Sequence, residues 1–319
     1  MSKKFAMNTV VVALAIAAVS AGAATAATAP VSHPRIQAHF DLAAGQMPEN
    51  IVLESDGSAD LTFAASRQIA RVGVDGKTRI LVTLPAPATG GDQTPVLGFP
   101  LLTGLARAQD RTLYFLYATG TRDLTGVWRL RPGGTPQRIA ALPADGLPNG
   151  LALDERTGRL YIADSVLGVI WRVPTAGGRP TAWSTGTELA STGFLGVNGL
   201  KIHKGAVWAS NLDKGTVVRI PIGHGGGAGA VETKAGDLAG IDDFAFLGHG
   251  DRLLATLNQP SKVALVEPDG THTTVLTAED GLQNPTSVAV RGDTIYVPSA
   301  AYSTREDPNL LLARIERRG

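Results

Sequence analysis

The sequence LPNGLALDERTGRLYIADSVLGVIWRV, residues 147–173, contains three short runs of alternating or β-branched residues separated by two turns. Such runs, bounded by Gly, Asp and Asn, are typical of antiparallel β-strands joined by tight turns. The same order recurs as GVNGLKIHKGAVWASNLDKGTVVRI at 196–220 and as IDDFAFLGHGDRLLATLNQPSKVALV at 241–266. No segment keeps a 3.6-residue apolar period over a dozen positions. The chain is therefore predicted to be all-β.

Three weaker copies of this pattern begin near residues 48, 102 and 285. Six copies at intervals of about 44–54 residues match the length of a four-stranded propeller blade. We predict a single six-bladed β-propeller over residues 36–319, in which Ile36–Leu42 adds an outer strand to the last blade and closes the ring. A sandwich of six unrelated strand–turn–strand units is the alternative, and the regular recurrence favours the propeller.

Residues 1–26 have the features of an export signal. Lys3 and Lys4 are followed by an apolar run, Val10–Val19, and then by the small-residue pattern Ala24-Thr25-Ala26. The apolar run is too short to span a bilayer stably, so a cleaved signal peptide is favoured over an uncleaved membrane anchor. We predict a signal peptide over 1–26, a flexible linker over 27–35, and a secreted or periplasmic protein.

Composition excludes several classes of function. The chain has 319 residues and no Cys, which excludes disulfides, thiolate metal sites and a cysteine nucleophile. Its formal net charge is +1, and −1 once a signal carrying two lysines and no acidic residue is removed. Without a basic run, neither nucleic acid nor, after signal cleavage, a membrane is expected as a partner. No G-x-S-x-G motif exists for a serine hydrolase. We expect a monomer that acts on a small molecule.

A polar residue stands at the start of every predicted inner strand. These residues are Glu49, Thr103, Asn149, Asn198, Asp242 and Thr286. Because inner strands line the channel of a propeller, the six positions should meet at one end of it. Their side chains offer oxygen atoms to a ligand, which suits a hard cation and Ca²⁺ best, with Glu49 and Asp242 balancing its charge. The six histidines lie elsewhere, which argues against a transition metal held by imidazole.

The second strand of a blade returns to the face where the first began. Four polar residues end these second strands: Asp164, Asn211, Asn258 and Ser299. Such side chains either surround the channel end or cap the turns that follow them. The sequence leaves both roles open.

The motifs PENI at 48–51, LPNGLALD with RLYIAD and IWRV at 147–173, GVNGLKI at 196–202 and IDDFAF at 241–246 carry a resemblance. The chain resembles the senescence marker protein, gluconolactonase and luciferin-regenerating-enzyme family of six-bladed propellers. Members of that family bind a divalent cation, usually Ca²⁺, through a Glu in the first blade, Asn in the third and fourth, and Asp in the fifth. The resemblance implies four metal ligands, which are Glu49, Asn149, Asn198 and Asp242.

The same resemblance implies a Ca²⁺-dependent hydrolase, with a lactone or ester as substrate and Asp242 as catalytic base. Thr103, Thr286, Asn50 and Asp243 are expected to contact the substrate. The chain departs from the gluconolactonase pattern where Asn50, in place of Gly-Pro, follows Glu49. Two alternatives stay open. One is a non-catalytic binding or scaffold propeller with a structural Ca²⁺, and the other is a non-hydrolytic enzyme similar to strictosidine synthase.

Overall fold

The computed structural model describes residues 30–88 and 93–316. These residues form six antiparallel sheets of four strands each. In five of the sheets, strands that are consecutive in the chain are neighbours in the sheet. The predicted six-bladed propeller is therefore confirmed. The predicted signal peptide over 1–26 lies outside the described residues. Within the described ranges, no helix is long and apolar enough to cross a membrane.

The strand bounds follow the predicted repeats closely. Blade 1 contains β2 to β5 (Pro48–Leu53, Ala59–Phe63, Gln68–Val72, Thr78–Thr83), and blade 2 contains β6 to β9 (Leu101–Arg107, Leu113–Ala118, Gly126–Leu130, Gln137–Ala141). Blade 3 contains β10 to β13 (Pro148–Asp154, Arg159–Asp164, Val169–Pro174, Thr181–Thr185). Blade 4 contains β14 to β17 (Val197–His203, Ala206–Asn211, Thr216–Pro221, Glu232–Ala235). Blade 5 contains β18 to β21 (Ile241–Phe246, Leu253–Leu257, Lys262–Val266, His272–Leu276). Blade 6 contains β22 to β24 (Ala289–Arg291, Thr294–Ser299, Asn309–Ile315), and a 3₁₀ turn at Ala278–Asp280 precedes it.

The ring is closed by the N-terminal strand β1, Val31–His39, which pairs antiparallel with β24 as the outer strand of blade 6. The predicted closure is thus confirmed, but the strand begins at Val31, earlier than the predicted Ile36. Residues 31–35, predicted as part of a flexible linker, are in the sheet. The register shifts between Ser32 and Arg35, on either side of Pro34. A proline is tolerated at such an irregularity on an edge strand, although in sequence it resembles a linker.

Apolar side chains fill the space between neighbouring blades. One cluster joins blades 3 and 4 around Tyr161 and Val218, and another joins blades 4 and 5 around Trp208 and Phe244. Equivalent clusters occupy the four other interfaces. Each blade is therefore held by hydrophobic contact with both of its neighbours, which is the main favourable contribution to folding.

A hydroxyl group bridges each of the six blade interfaces near the channel. The donors are Ser or Thr side chains, and each donates to a backbone carbonyl of the next blade at 2.6–3.3 Å. The six pairs are Thr62–Thr103, Thr103–Pro148, Ser165–Val197, Ser210–Asp242, Thr256–Thr286 and Thr286–Pro48. Together they form a continuous ring, which we call the hydroxyl ring.

Three glycines, close to the hydroxyl ring, let the inner strand of one blade approach that of the next. A Cβ atom on Gly104 would lie 2.4 Å from the carbonyl oxygen of Asn149, and one on Gly150 would lie 2.0 Å from that of Asn198. On Gly199 it would lie 2.3 Å from Asp243 Oδ1. Real Cβ atoms do not come this close, so these positions require glycine for the approach of the next blade.

The hydroxyl ring should contribute measurably to stability at its closing position. Replacing Thr286 by Val keeps the side-chain shape but leaves the Pro48 carbonyl without its buried donor. We expect Thr286→Val to lower the free energy of unfolding by about 1–3 kcal/mol in urea titration. Thr274→Val, at an exposed threonine of β21, is the matched control and should change it by less than about 0.5 kcal/mol. Equal effects of the two substitutions would contradict this role.

Candidate functional site

The polar residues at the start of the six inner strands lie at one end of the channel. Glu49, Asn149, Asn198 and Asp242 are the second residues of β2, β10, β14 and β18. All four are at least nine-tenths buried, with Glu49 exposed by 6% and Asp242 by 7%. Blades 1, 3, 4 and 5 therefore each contribute one of the predicted ligands from an equivalent position. We call this end of the propeller the site face.

Asp242 is held by two amides from different directions. Asn198 Nδ2 donates to its Oδ1 at 3.0 Å, and Asn258 Nδ2 donates to its Oδ2 at 3.1 Å. Burial raises the pKa of Asp242 well above its usual value, and the negative charges of Glu49 and Asp243 raise it further, against the two amide hydrogen bonds. The carboxyl group is thus fixed in orientation while its charge lacks a full counter-charge.

Glu49 lies close enough to Asp242 for its charge to raise the pKa of Asp242. Tyr302 donates its hydroxyl to Glu49 Oε2 at 2.5 Å. Burial raises the pKa of Glu49 to about 7, the Tyr302 hydrogen bond opposes this, and the charge of Asp243 adds to it. Burial and the Glu49 charge also raise the pKa of Tyr302 well above 10, so this phenol stays a proton donor at neutral pH.

The donor set fits a hard cation. No ion pair involves Glu49 or Asp242 among the salt bridges of the described residues, so their buried charges have no basic partner there. Asn198 uses its N–H group on Asp242, which leaves its side-chain oxygen as the acceptor. Two carboxylates and two amides supply oxygen donors of the kind Ca²⁺ prefers. Across residues 30–88 and 93–316, no three or more His, Asp or Glu side chains lie together in a group that could hold a metal ion. Among the four candidate ligands only Glu49 and Asp242 are of these types, and the other two are asparagines.

Thr103 and Thr286 belong to the hydroxyl ring. Thr103 donates to the Pro148 carbonyl at 2.8 Å, and Thr286 donates to the Pro48 carbonyl at 2.9 Å. Both side chains are fully buried. These bonds give the two threonines a structural role between blades, and their contact with a substrate stays a prediction.

Asp243 lies in a polar cluster that crosses the channel beneath the site. Lys201 Nζ lies 2.6 and 2.7 Å from its two carboxylate oxygens, and Ser287 Oγ donates to Oδ2 at 2.6 Å. Asn50 Nδ2 lies at 3.5 Å from the same Oδ2. Asp243 of blade 5 therefore contacts Asn50 of blade 1, Lys201 of blade 4 and Ser287 of blade 6. The substrate contact expected of Asn50 and Asp243 stays a prediction.

Lys201 was not singled out from the sequence, although the repeat carries a signal for it. It stands three residues after the Asn198 anchor, where the other five blades have Val or Ala. A single lysine among five small apolar residues on channel-lining strands indicates a buried partner, which here is Asp243. Comparison of the six repeats position by position would have found it.

Of the four second-strand ends, one reaches the site. Asn258 contacts Asp242, as described above. Asp164 instead accepts the backbone N–H groups of Leu147 and Leu167, and Asn211 donates to carbonyls of the loop before β14. Asp164 and Asn211 therefore stabilise turns, and the Ser299 hydroxyl is buried without a hydrogen bond among the described residues.

Tyr302 is the site residue that sequence reasoning missed. It lies in the loop between β23 and β24, outside the repeated strands, so no repeat pattern pointed to it. Asn284 holds this loop, because its Oδ1 accepts the backbone N–H groups of Ser303 at 2.8 Å and Thr304 at 3.0 Å. Ala301 before it adopts the left-handed conformation with φ 54°. Together these features turn the phenol toward Glu49.

Comparison of the chain with protein-family models and with curated proteins gives no match. Solved structures do match. Regucalcin from Agrobacterium tumefaciens, described as a calcium-binding protein, superposes with a TM-score of 0.64 at 15% identity, over 89% of this chain and 93% of the other. A protein assigned as a gluconolactonase gives 0.63 at 16% identity, over 90% and 93%. A luciferin-regenerating enzyme gives 0.63 at 12% identity, over 88% and 95%.

The likeness establishes the fold. The neighbours include the three kinds of protein named by the sequence resemblance, all with six blades, so that resemblance is confirmed at the level of architecture. At identities of 12–16%, activity and ligands do not follow from the superposition.

The Lys201–Asp243 pair should be required for stability. Removing Lys201 leaves Asp243 buried without a counter-charge, so Lys201→Met should lower the free energy of unfolding by about 3–5 kcal/mol in urea titration. The double variant Lys201→Met with Asp243→Asn removes both charges and should recover most of the loss. A double variant no more stable than the single one would contradict a charge-pairing role.

Metal-free protein should lose stability as the pH rises. Because the folded-state pKa of Glu49, about 7, exceeds the ordinary 4.5, the folded state binds more protons than the unfolded state between these values. The free energy of unfolding should therefore fall by about 2–3 kcal/mol from pH 5 to pH 8 in chelator-treated protein. Glu49→Gln should show a clearly shallower dependence. Parallel curves for wild type and variant would show that Glu49 does not titrate in this way.

Proposed function

We propose that the protein is an exported, Ca²⁺-dependent hydrolase that opens a lactone or cleaves an ester at the site face. One observation carries the proposal. Two buried carboxylates, Glu49 of blade 1 and Asp242 of blade 5, lie near enough for the charge of Glu49 to raise the pKa of Asp242, and neither has a basic partner among the ion pairs of the described residues. Such an arrangement is costly unless a function requires it, and perturbed carboxylates in a protein's interior commonly mark functional sites.

Four side chains would hold the cation: Glu49, Asn149, Asn198 and Asp242. Their two negative charges would balance a divalent ion, and their four oxygens are fewer than the six to eight that Ca²⁺ accepts. Coordination positions would therefore be left for substrate and water. When bound, the cation polarises the carbonyl oxygen of the substrate and favours attack on its carbon.

Asp242 is proposed as the general base. Its carboxylate is fixed by Asn198 and Asn258, so an oxygen lone pair is held in one direction to accept a proton from water. As that proton moves to Asp242, the water oxygen forms a bond to the carbonyl carbon, and the ring C–O bond then breaks. The proton passes to the departing alkoxide, which gives a hydroxy acid and regenerates the base.

Tyr302 and the burial of the site support this chemistry. The phenol stays protonated and holds Glu49 in place through its hydrogen bond to Oε2. Because Glu49 and Asp242 are buried, their charges act in surroundings poor in water, where electrostatic stabilisation of a developing oxyanion is strongest.

Export is proposed from the N-terminal sequence alone. Lys3 and Lys4, the apolar run Val10–Val19 and Ala24-Thr25-Ala26 form the three parts of a cleavable signal. A location outside the cytoplasm suits a Ca²⁺-dependent protein, because weak sites for this ion are filled where it is abundant.

Two substitutions separate base from ligand. Asp242→Asn keeps a ligand oxygen and the shape but removes the base, so kcat for lactone hydrolysis should fall at least about 100-fold. Glu49→Gln should act mainly through metal affinity, so excess Ca²⁺ should partly restore its activity. Asp154→Asn, at a buried aspartate of the opposite channel end, is the matched control and should keep wild-type rates. Hydrolysis rates are measured while Ca²⁺ is titrated into chelator-treated protein.

Two results would overturn the proposal. The first is wild-type protein with full Ca²⁺ occupancy that cleaves nothing in a panel of lactones, esters and phosphotriesters. The second is activity that survives complete chelation unchanged. The first result would favour a binding propeller or a non-hydrolytic enzyme on the same fold, and the second would favour hydrolysis that does not depend on a metal ion.

A further inference from the structure

An apolar cluster lies on the site face and contacts the polar site through Tyr302. Tyr302, which contacts Glu49, also packs against a cluster that includes Leu97, Phe99, Val166, Leu195 and Leu212. These residues lie in loops or turns next to the ends of strands in blades 2, 3 and 4, on the site face. We call them, with Tyr302, the mouth cluster. Tyr302 thus joins the polar, charged site to an apolar cluster on the same face.

The mouth cluster continues into exposed apolar residues. Phe194 is 41% exposed, Leu167 38% and Val96 55%, and each is the direct chain neighbour of a cluster member. Among the described residues five large hydrophobic side chains are exposed to this degree, and three of them are these. Single exposed apolar residues are ordinary, but a group of them continuous with a buried apolar wall indicates a binding surface.

The loop that carries Phe194 is held in one conformation. Asp213 accepts four successive backbone N–H groups of that loop at 2.7–3.1 Å, those of Thr192, Gly193, Phe194 and Leu195. The loop is therefore clamped from the neighbouring turn of the same blade. A rigid backbone presents the exposed ring at little cost in conformational entropy, which favours recognition over chance exposure.

We propose that the site takes a lactone or ester whose acyl or ring substituent is an apolar chain, with Phe194 as a specificity residue and Asp213 as its positioning residue. This inference rests on the proposed hydrolase function. The polar site would bind the carbonyl group, and the chain would lie along the mouth cluster. A polyhydroxylated sugar lactone would lose the hydration of its hydroxyl groups against this wall without gaining hydrogen bonds, which costs affinity.

The test compares lactones that differ only in chain length. Wild-type protein with Ca²⁺ is assayed on δ-valerolactone, δ-octalactone, δ-decalactone and δ-dodecalactone, with glucono-δ-lactone as the polar probe. Fully burying one methylene improves binding by about fourfold. Decalactone carries five more carbons than valerolactone, so even half of that free energy for each one should raise kcat/KM by about 30-fold. Glucono-δ-lactone should be a poorer substrate than δ-octalactone.

Three variants assign the effect to the mouth. Phe194→Ser should flatten the chain-length series, because it should lower kcat/KM for δ-dodecalactone more than kcat/KM for δ-valerolactone. Asp213→Ala should flatten it through the loop, with KM for the long lactones changed more than kcat. Val74→Ser, at the most exposed apolar residue of the opposite face, is the matched control and should leave the series as in wild type.

Binding separates this inference from the hydrolase function. Asp242→Asn protein is titrated with δ-dodecalactone and with glucono-δ-lactone by calorimetry, so no turnover is needed. If the wild-type protein cleaves none of these lactones, binding of δ-dodecalactone by Asp242→Asn that an added Phe194→Ser weakens would support the apolar mouth and overturn the hydrolase function alone. Equal handling of the sugar lactone, a flat series in wild type, or no effect of Phe194→Ser would overturn the apolar mouth itself.

Discussion

The close approach of six inner strands around one axis is the constraint on which the rest of the molecule depends. Each strand must begin within hydrogen-bond distance of the next, and the hydroxyl ring and the three glycines both serve that approach. Because the hydroxyls of Thr62, Thr256 and their equivalents satisfy backbone carbonyls at the interfaces, the strand entrances are rigid. Side chains placed at those entrances inherit this rigidity, which is what a metal or catalytic site needs.

That rigidity also explains why unfavourable charges persist at the axis. Glu49 and Asp242 are fixed by strands that cannot move apart without opening the ring, and Asp243 beneath them adds a third carboxylate. Lys201 neutralises the lowest of the three and leaves the upper two unpaired among the ion pairs of the described residues. The charge of Asp243 is thus balanced by Lys201, while the carboxyl groups of Glu49 and Asp242 at the site face have no basic partner among those ion pairs. The negative electrostatic potential in the channel is therefore concentrated at the site face.

Most of the fold was readable from the sequence because a propeller repeats one local pattern. The strand order, the number of blades and the anchors Glu49 and Asp242 all follow from aligning the copies. What the alignment could not give lies outside the repeat: Tyr302 comes from a loop, and the first five residues of β1 contain His-Pro and resemble a linker. Thr103 and Thr286 occupied the expected positions, but their hydroxyls are used by the next blade, a contact that is invisible without the ring geometry.

The pairing of β1 with β24 has a consequence for the order of folding. Val31 and Ile315 are partners in the last sheet, so the contact that closes the circle joins the two most distant strands of the chain. Closing a loop of this length is slow and entropically costly, so it should follow the formation of the local four-stranded units. In a nascent chain β1 therefore has no partner strand until residues 309–315 have been synthesised. Over this period β1 is the natural target for a chaperone, or for misplaced strand pairing with another copy.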